Sequence, residues 1–117
     1  MAVMTYAAAA AHALGEAMQA DSRVIALGED VGRGGIFGQY RGLVERFGAS
    51  RIIDTPISES TIVGAAVGMA LTGMRPVVEL RVVDFALCAM DEIVNQAAKT
   101  ALCSADKVAC RWCYECP

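Results

Sequence analysis

Three short apolar runs, at residues 24–27, 51–54 and 76–80, alternate along the chain with stretches of helical character. Each run is too short for a core helix. They end in Gly28, in Thr55-Pro56 and in Glu79, as buried strands do. Residues 5–19 read as a helix with Thr5 as N-cap and a long Ala-rich stretch. Leu14 and Met18 share one face of it. Residues 43–47 form a short helical piece stopped by Gly48, and residues 86–99 a longer helix with Asp91, Glu92 and Asn95 on its polar side. Helix and strand in strict alternation mean a parallel sheet with helices on its faces.

Size and charge narrow the function. A chain of 117 residues is one domain at most. Its 56% hydrophobic and 20% charged residues exclude a disordered polar chain. No uninterrupted apolar stretch approaches the ~20 residues that span a bilayer. The net charge of −3 argues against nucleic acid and anionic membranes as partners. The first residues lack the basic region of a secretory signal and the Arg-rich, acid-poor character of a transit peptide, so a cytoplasmic location is expected.

The single histidine, His12, lies inside the first helix and reads as a surface or packing residue. The chemistry sits in carboxylates. Glu29, Asp54, Glu59, Glu79 and Asp84 fall at or just past strand ends, on the sheet edge where ligands bind. For Asp54 and Asp84 capping and loop hydrogen bonding suffice. Glu59 differs. It follows a Thr-Pro-x-Ser turn, with Ser58 as N-cap candidate, and opens a small-residue helix that runs to about Leu71 with Gly73 expected as its C-cap. A carboxylate tucked there is expected to have a raised pKa and to exchange a proton. Gly64 and Gly68 on that helix fit tight packing inside the domain or a close contact across a subunit interface. Gly32, Gly34, Gly35 and Gly38 do not reproduce the dinucleotide-binding spacing, so that stretch reads as a flexible active-site or interface loop.

Five ordered blocks carry a family resemblance. Ile53-Asp54-Thr55-Pro56-Ile57-Ser58-Glu59, then Val63-Gly64-Ala65-Ala66-Val67-Gly68, with Gly28-Glu29-Asp30-Val31, Arg75-Pro76-Val77-Val78-Glu79 and Ile93-Val94-Asn95-Gln96-Ala97-Ala98-Lys99, resemble the beta subunit of the thiamine-diphosphate-dependent decarboxylating component of 2-oxo acid dehydrogenase complexes. Pyruvate, acetoin and branched-chain members share these blocks. The resemblance implies an α/β, parallel-sheet pyrimidine-binding domain of the transketolase-like type, left incomplete here. It implies that Glu59 hydrogen-bonds N1′ of the cofactor's aminopyrimidine, that Phe85 packs on that ring, and that Ile57 and Arg81 flank it. Glu29 matches an acidic residue implied to relay protons between paired sites. The implied partners are an alpha subunit holding the diphosphate and Mg²⁺, a second beta subunit in a heterotetramer, and a lipoyl-bearing acyltransferase core. No metal ligand is expected in this chain, and the chain alone is expected to be inactive. The rival enzyme reading is another transketolase-type family. The Asp-Thr-Pro-Ile-Ser-Glu block argues against it.

The resemblance covers residues 4–99 and stops. Residues 1–99 are expected to be the N-terminal part of the pyrimidine-binding domain, and residues 100–117 an aberrant tail. Cys103, Cys110, Cys113 and Cys116 crowd that tail, although only Cys88 precedes them. Their spacing suggests a zinc or iron–sulfur site and, with it, a metal-binding regulator. A reading-frame test opposes that. Codons for Thr100 to Pro117 can be chosen so that skipping two bases gives Arg-Ala-Met-Phe-Gly-Gly-Gln-Gly-Arg-Val-Pro-Leu-Val-Leu-Arg-Met, which is the family's own continuation. Synonymous choice frees only the first base of each shifted codon. One base lost just after the Lys99 codon explains the tail, which makes the chain a frameshifted fragment.

Overall fold

The computed structural model describes residues 3–103 and 113–115. Four parallel strands form one sheet in the order β2-β1-β3-β4. They are β1 (Val24–Gly28), β2 (Ile52–Asp54), β3 (Arg75–Glu79) and β4 (Cys113–Glu115). Strand β1 is buried along its whole length, because it pairs on both edges and carries helices on both faces.

The two faces follow from the direction of each crossover. The chain steps from β1 to one side, through α2 (Leu43–Phe47), to reach β2. It then steps back past β1, through α3 (Glu59–Leu71), to reach β3. Right-handed crossovers in opposite directions put their helices on opposite faces. Accordingly Leu14 and Met18 of α1 (Tyr6–Ala20) and Leu43 of α2 pack with Val24, Ala26 and Ile52 on one face. Ile62, Val63 and Ala66 of α3 pack with Leu27, Val78 and Leu80 on the other.

Most local expectations hold. Thr5 caps α1, its Oγ1 accepting the Ala8 N–H at 3.2 Å. Gly48, at a φ of +82°, ends α2. His12 lies on the surface, 3.6 Å from the exposed Glu16. Ser58 occupies the N-cap position of α3, yet its hydroxyl donates to Thr61 Oγ1 and accepts no helix N–H. Thr72 is the C-cap of α3, and Gly73 follows it with a φ of +92°. Gly64 takes the internal role, with a Cβ there meeting only Glu92 Cγ at 3.5 Å, whereas Gly68 faces open space.

Two expectations change. The helix expected over residues 86–99 is three kinds of winding. A 3₁₀ stretch (Val83–Ala89) is followed by a π stretch (Glu92–Ala97) and by α4 (Ala98–Cys103). No Gly or Pro marks these changes, so periodicity alone reads one helix. The sheet also gains β4 inside the cysteine-rich tail. Backbone groups on the open edge of β3 pair with an extended segment whatever its side chains. The remainder of the tail beyond Cys103, with Cys110 and Cys116, lies outside the described residues, as does any metal site among them. Among the described residues no helix is long and apolar enough to cross a membrane.

Arg51 ties the start of the domain together. Its guanidinium donates to the carbonyls of Met18, Asp21 and Val24 at 2.7–3.1 Å, joining the end of α1 to the start of β1. It lies over the Phe47 ring, 5.2 Å from the centroid. A cation at a helix C-terminus is also favoured by the helix dipole. Arg51→Met keeps an apolar stem but removes all of these donors. The expected outcome is a loss of about 2–3 kcal/mol in urea unfolding, the size of lost hydrogen bonds to a charged group.

Candidate functional site

Parallel strands all end on one edge, so the segments after β1, β2 and β3 meet there. Chain direction reverses between β1 and β3, which makes their C-terminal ends the topological switch point of the sheet. Gly28 closes β1 at that point. A Cβ on it would lie 2.6 Å from Glu79 Cβ and 2.8 Å from the Glu79 carbonyl oxygen, so only glycine admits β3 this close.

Glu79 ends β3 and is 5% exposed. Its carboxylate accepts from Gln39 Nε2 at 2.8 Å and from Tyr40 Oη at 2.9 Å. Those bonds offset the cost of burying the group. Strand alternation sends Val77 toward the α1–α2 face and Glu79 two residues on, while Val78 and Leu80 face α3. Glu79 stands among the acidic candidates of the sequence, but nothing there assigns it to the site. The available signal is a carboxylate closing an otherwise apolar parallel strand.

The turn after β1 is built from charges. Asp30 adopts a left-handed φ of 54°, and its carbonyl accepts the N–H groups of Arg33 and Gly35. Arg81, just past β3, donates to Asp30 Oδ2 at 2.8 Å and lies 3.6 Å from Glu29 Oε2. The structure therefore joins two of the residues singled out in the sequence, Glu29 and Arg81, across the switch point. Asp54 has the capping role expected of it, with Oδ1 accepting the Gly32 N–H at 2.8 Å. Asp84 is exposed in the first turn of the 3₁₀ stretch. Gln39 and Tyr40 tie the glycine loop to Glu79.

Glu59 is the first residue of α3 and half-buried. A carboxylate in the first helical turn is favoured by the dipole. Close by in the chain, the Oγ1 of Thr55 is buried with no hydrogen-bond partner. Ile57 is 76% exposed and Phe85 40% exposed. Among the described residues no hydrogen bond or ion pair joins Glu59 to the Arg81 cluster. The edge therefore has two parts: an ionic bridge at the switch point, and a carboxylate with an unpartnered hydroxyl and open apolar side chains around the ends of β2 and β3.

Residues 2–114 match the family model described as "Transketolase, pyrimidine binding domain". The chain is 49% identical over 100 residues to the 2-oxoisovalerate dehydrogenase subunit beta of Bacillus subtilis (strain 168), covering 85% of this chain and 31% of that protein. It is 45% identical over 101 residues to the pyruvate dehydrogenase E1 component subunit beta of Rhizobium meliloti (strain 1021), covering 86% of this chain and 22% of that protein. A mitochondrial 2-oxoisovalerate dehydrogenase subunit beta of Dictyostelium discoideum is 47% identical over 83 residues, which are 71% of this chain and 22% of that protein. The chain spans about a third or less of the length of these relatives.

The contact at Gly28 can be tested by adding one methyl group. Gly28→Ala forces β1 from β3 and is expected to cost about 1–3 kcal/mol by overpacking. Gly68→Ala, whose Cβ meets open space on α3, is expected to gain about 0.5–1 kcal/mol. Chemical denaturation of the two variants, measured side by side, checks the opposite signs.

Proposed function

The chain belongs to the family of transketolase pyrimidine-binding domains, and from that premise we propose that it forms the pyrimidine half of a thiamine-diphosphate site in a 2-oxo acid dehydrogenase beta subunit. The observation that carries the reading is Glu59. It is a half-buried carboxylate opening α3 after the end of β2, four residues beyond Thr55, whose buried hydroxyl lacks a partner. The residues suit an aminopyrimidine. Glu59 offers an acceptor to a protonated ring nitrogen, Thr55 a buried hydroxyl, and Phe85 and Ile57 open apolar surface. When bound, the cofactor supplies a nucleophilic carbon that attacks the carbonyl of a 2-oxo acid.

The chain's own residues have simpler tasks. Glu59 holds and returns a proton at N1′. Phe85 and Ile57 orient the ring by apolar contact. Glu29, held by Arg81, keeps a carboxylate near the site for proton relay. The diphosphate and Mg²⁺ belong to an alpha subunit in this reading, and a second beta subunit completes a heterotetramer. The acyl product passes to a lipoyl-bearing acyltransferase core in the cytoplasm. The substrate is a 2-oxo acid of the pyruvate or branched-chain class, or acetoin in the close variant. The chain alone supplies half a site and is inactive.

The tail after Lys99 is a frameshift product in the same reading. Support comes from the sheet: β4 (Cys113–Glu115) falls where the shifted frame places Val-Leu-Arg, the latter part of its apolar Pro-Leu-Val-Leu run. Resequencing the gene across the Lys99 codon reveals one additional base if the shift is a reading error, whereas a lesion in the gene itself leaves the reading unchanged. An unchanged reading would leave the cysteines as residues that the gene encodes.

Glu59→Gln tests the mechanism in the frame-restored protein paired with its alpha subunit. Assembly and fold are expected to persist, while turnover falls about 100-fold or more, the usual scale for loss of a general acid–base. Retention of more than about a tenth of turnover would remove Glu59 from that role.

A further inference from the structure

Glu79 takes no part in the proton chemistry given to Glu59, and yet it is the most buried carboxylate described. The loop it touches is unusual. Gly34, Gly35, Gly38 and Gly42 all have positive φ, so the free loop has many accessible shapes. Backbone bonds within the loop, among them the Tyr40 N–H to the Gly34 carbonyl at 3.0 Å, and two anchors at its ends select one of them. On the β1 side, the Gly35 N–H donates to the Asp30 carbonyl at 2.9 Å. On the β3 side, Gln39 and Tyr40 both donate to Glu79.

Gln39 couples the second anchor to the loop tip. A carboxylate only accepts, so the NH₂ group of Gln39 must face Glu79. Its Oε1 is then free to accept the Phe37 N–H, which it does at 3.0 Å. Gly35 allows the approach, since a Cβ there would lie 2.9 Å from Gln39 Oε1. Residues 36–38 thus lie between two anchors, Asp30 in the turn after β1 and Glu79 at the end of β3. Ile36 and Phe37, at 47% and 58% exposed, are large apolar side chains held open at that place.

We propose that Glu79 is a positioning residue that, through Gln39, fixes the Ile36–Phe37 tip between those two anchors as an apolar wall of the site. The wall's purpose rests on the cofactor reading above, whereas the positioning itself rests on these bonds alone.

Amide exchange on the purified 117-residue chain separates the two. Gln39→Glu sets two acceptor-only groups face to face. The Phe37 amide is expected to exchange about tenfold faster, as loss of its local bonds implies. Core amides of α1 and β1 should be unmoved, which a merely structural role for Glu79 would not allow. Gln39→Met, of similar length, should release the loop in the same way without adding charge. Adding Glu79→Gln to Gln39→Glu restores a donor facing an acceptor and should restore protection at Phe37. Unchanged exchange in both single variants, acceleration spread through the whole chain, or a double variant as unprotected as Gln39→Glu would each overturn the proposal. Thiamine-diphosphate binding to the frame-restored protein paired with its alpha subunit, measured with Mg²⁺ present, reports separately. Its absence would count against the cofactor reading and leave the loop result standing.

Discussion

The approach of β3 to Gly28 governs how this edge of the molecule is built. Strand β1 pairs with β2 on one side and β3 on the other, so the sheet is centred on it. At its last residue the missing side chain lets the stem of Glu79 lie against the backbone. The Glu79 carboxylate is thereby buried at the foot of the crevice, where Gln39 and Tyr40 reach it. From there the order of the glycine loop follows, although a loop so rich in glycine has little stiffness of its own. Tyr40 packs with Val24, Ala26 and Leu43, which links the loop to the α1–α2 core.

Above that foot the same edge is closed by charge. Arg81 spans from the end of β3 to Asp30 and Glu29 on the turn after β1. The pair is partly exposed, so its value lies more in geometry than in energy. It holds Asp30 in a left-handed conformation that a non-glycine residue seldom adopts. The Asp54 bond to the Gly32 N–H does the same for the next residues of the loop. Asp21 shows the surface version at the opposite end of the strands. Hydrogen bonds from the Arg23 side chain and backbone hold its carboxyl well below the usual carboxylate range.

Legibility in the sequence tracks locality. The strands around Val24, Ile52 and Val77, the Thr5 cap and the Gly48 stop are set by neighbours a few residues away, and all were readable there. The place of Glu59 at the start of α3 was readable because its setting, a turn followed by a small-residue helix, is also local. Glu79 was only half readable. Its partners lie 39 and 40 residues away, and no local pattern announces that a carboxylate will be buried. The 3₁₀ and π windings between Val83 and Ala97 were invisible because apolar spacing tolerates either winding. Strand β4 arises from the open edge of β3, a property of backbone and not of side-chain pattern.

Electrostatics explains why this edge suits one end of the proposed cofactor better than the other. Carboxylates dominate it: Glu29 and Asp30 after β1, Asp54 and Glu59 around the end of β2, Glu79 and Asp84 around the end of β3. The arginines bonded to it, Arg33 and Arg81, are already engaged by Asp30 and Glu29. A diphosphate brought here would meet like charge with no unengaged guanidinium among those two to receive it. An aminopyrimidine would meet acceptors for its N–H groups and apolar surface for its ring. The proposed reading, which gives the ring to this chain and the diphosphate with its Mg²⁺ to a partner, agrees with that charge pattern. It also accounts for a half-site whose open apolar side chains, Ile57 and Phe85, lack cover in the chain by itself.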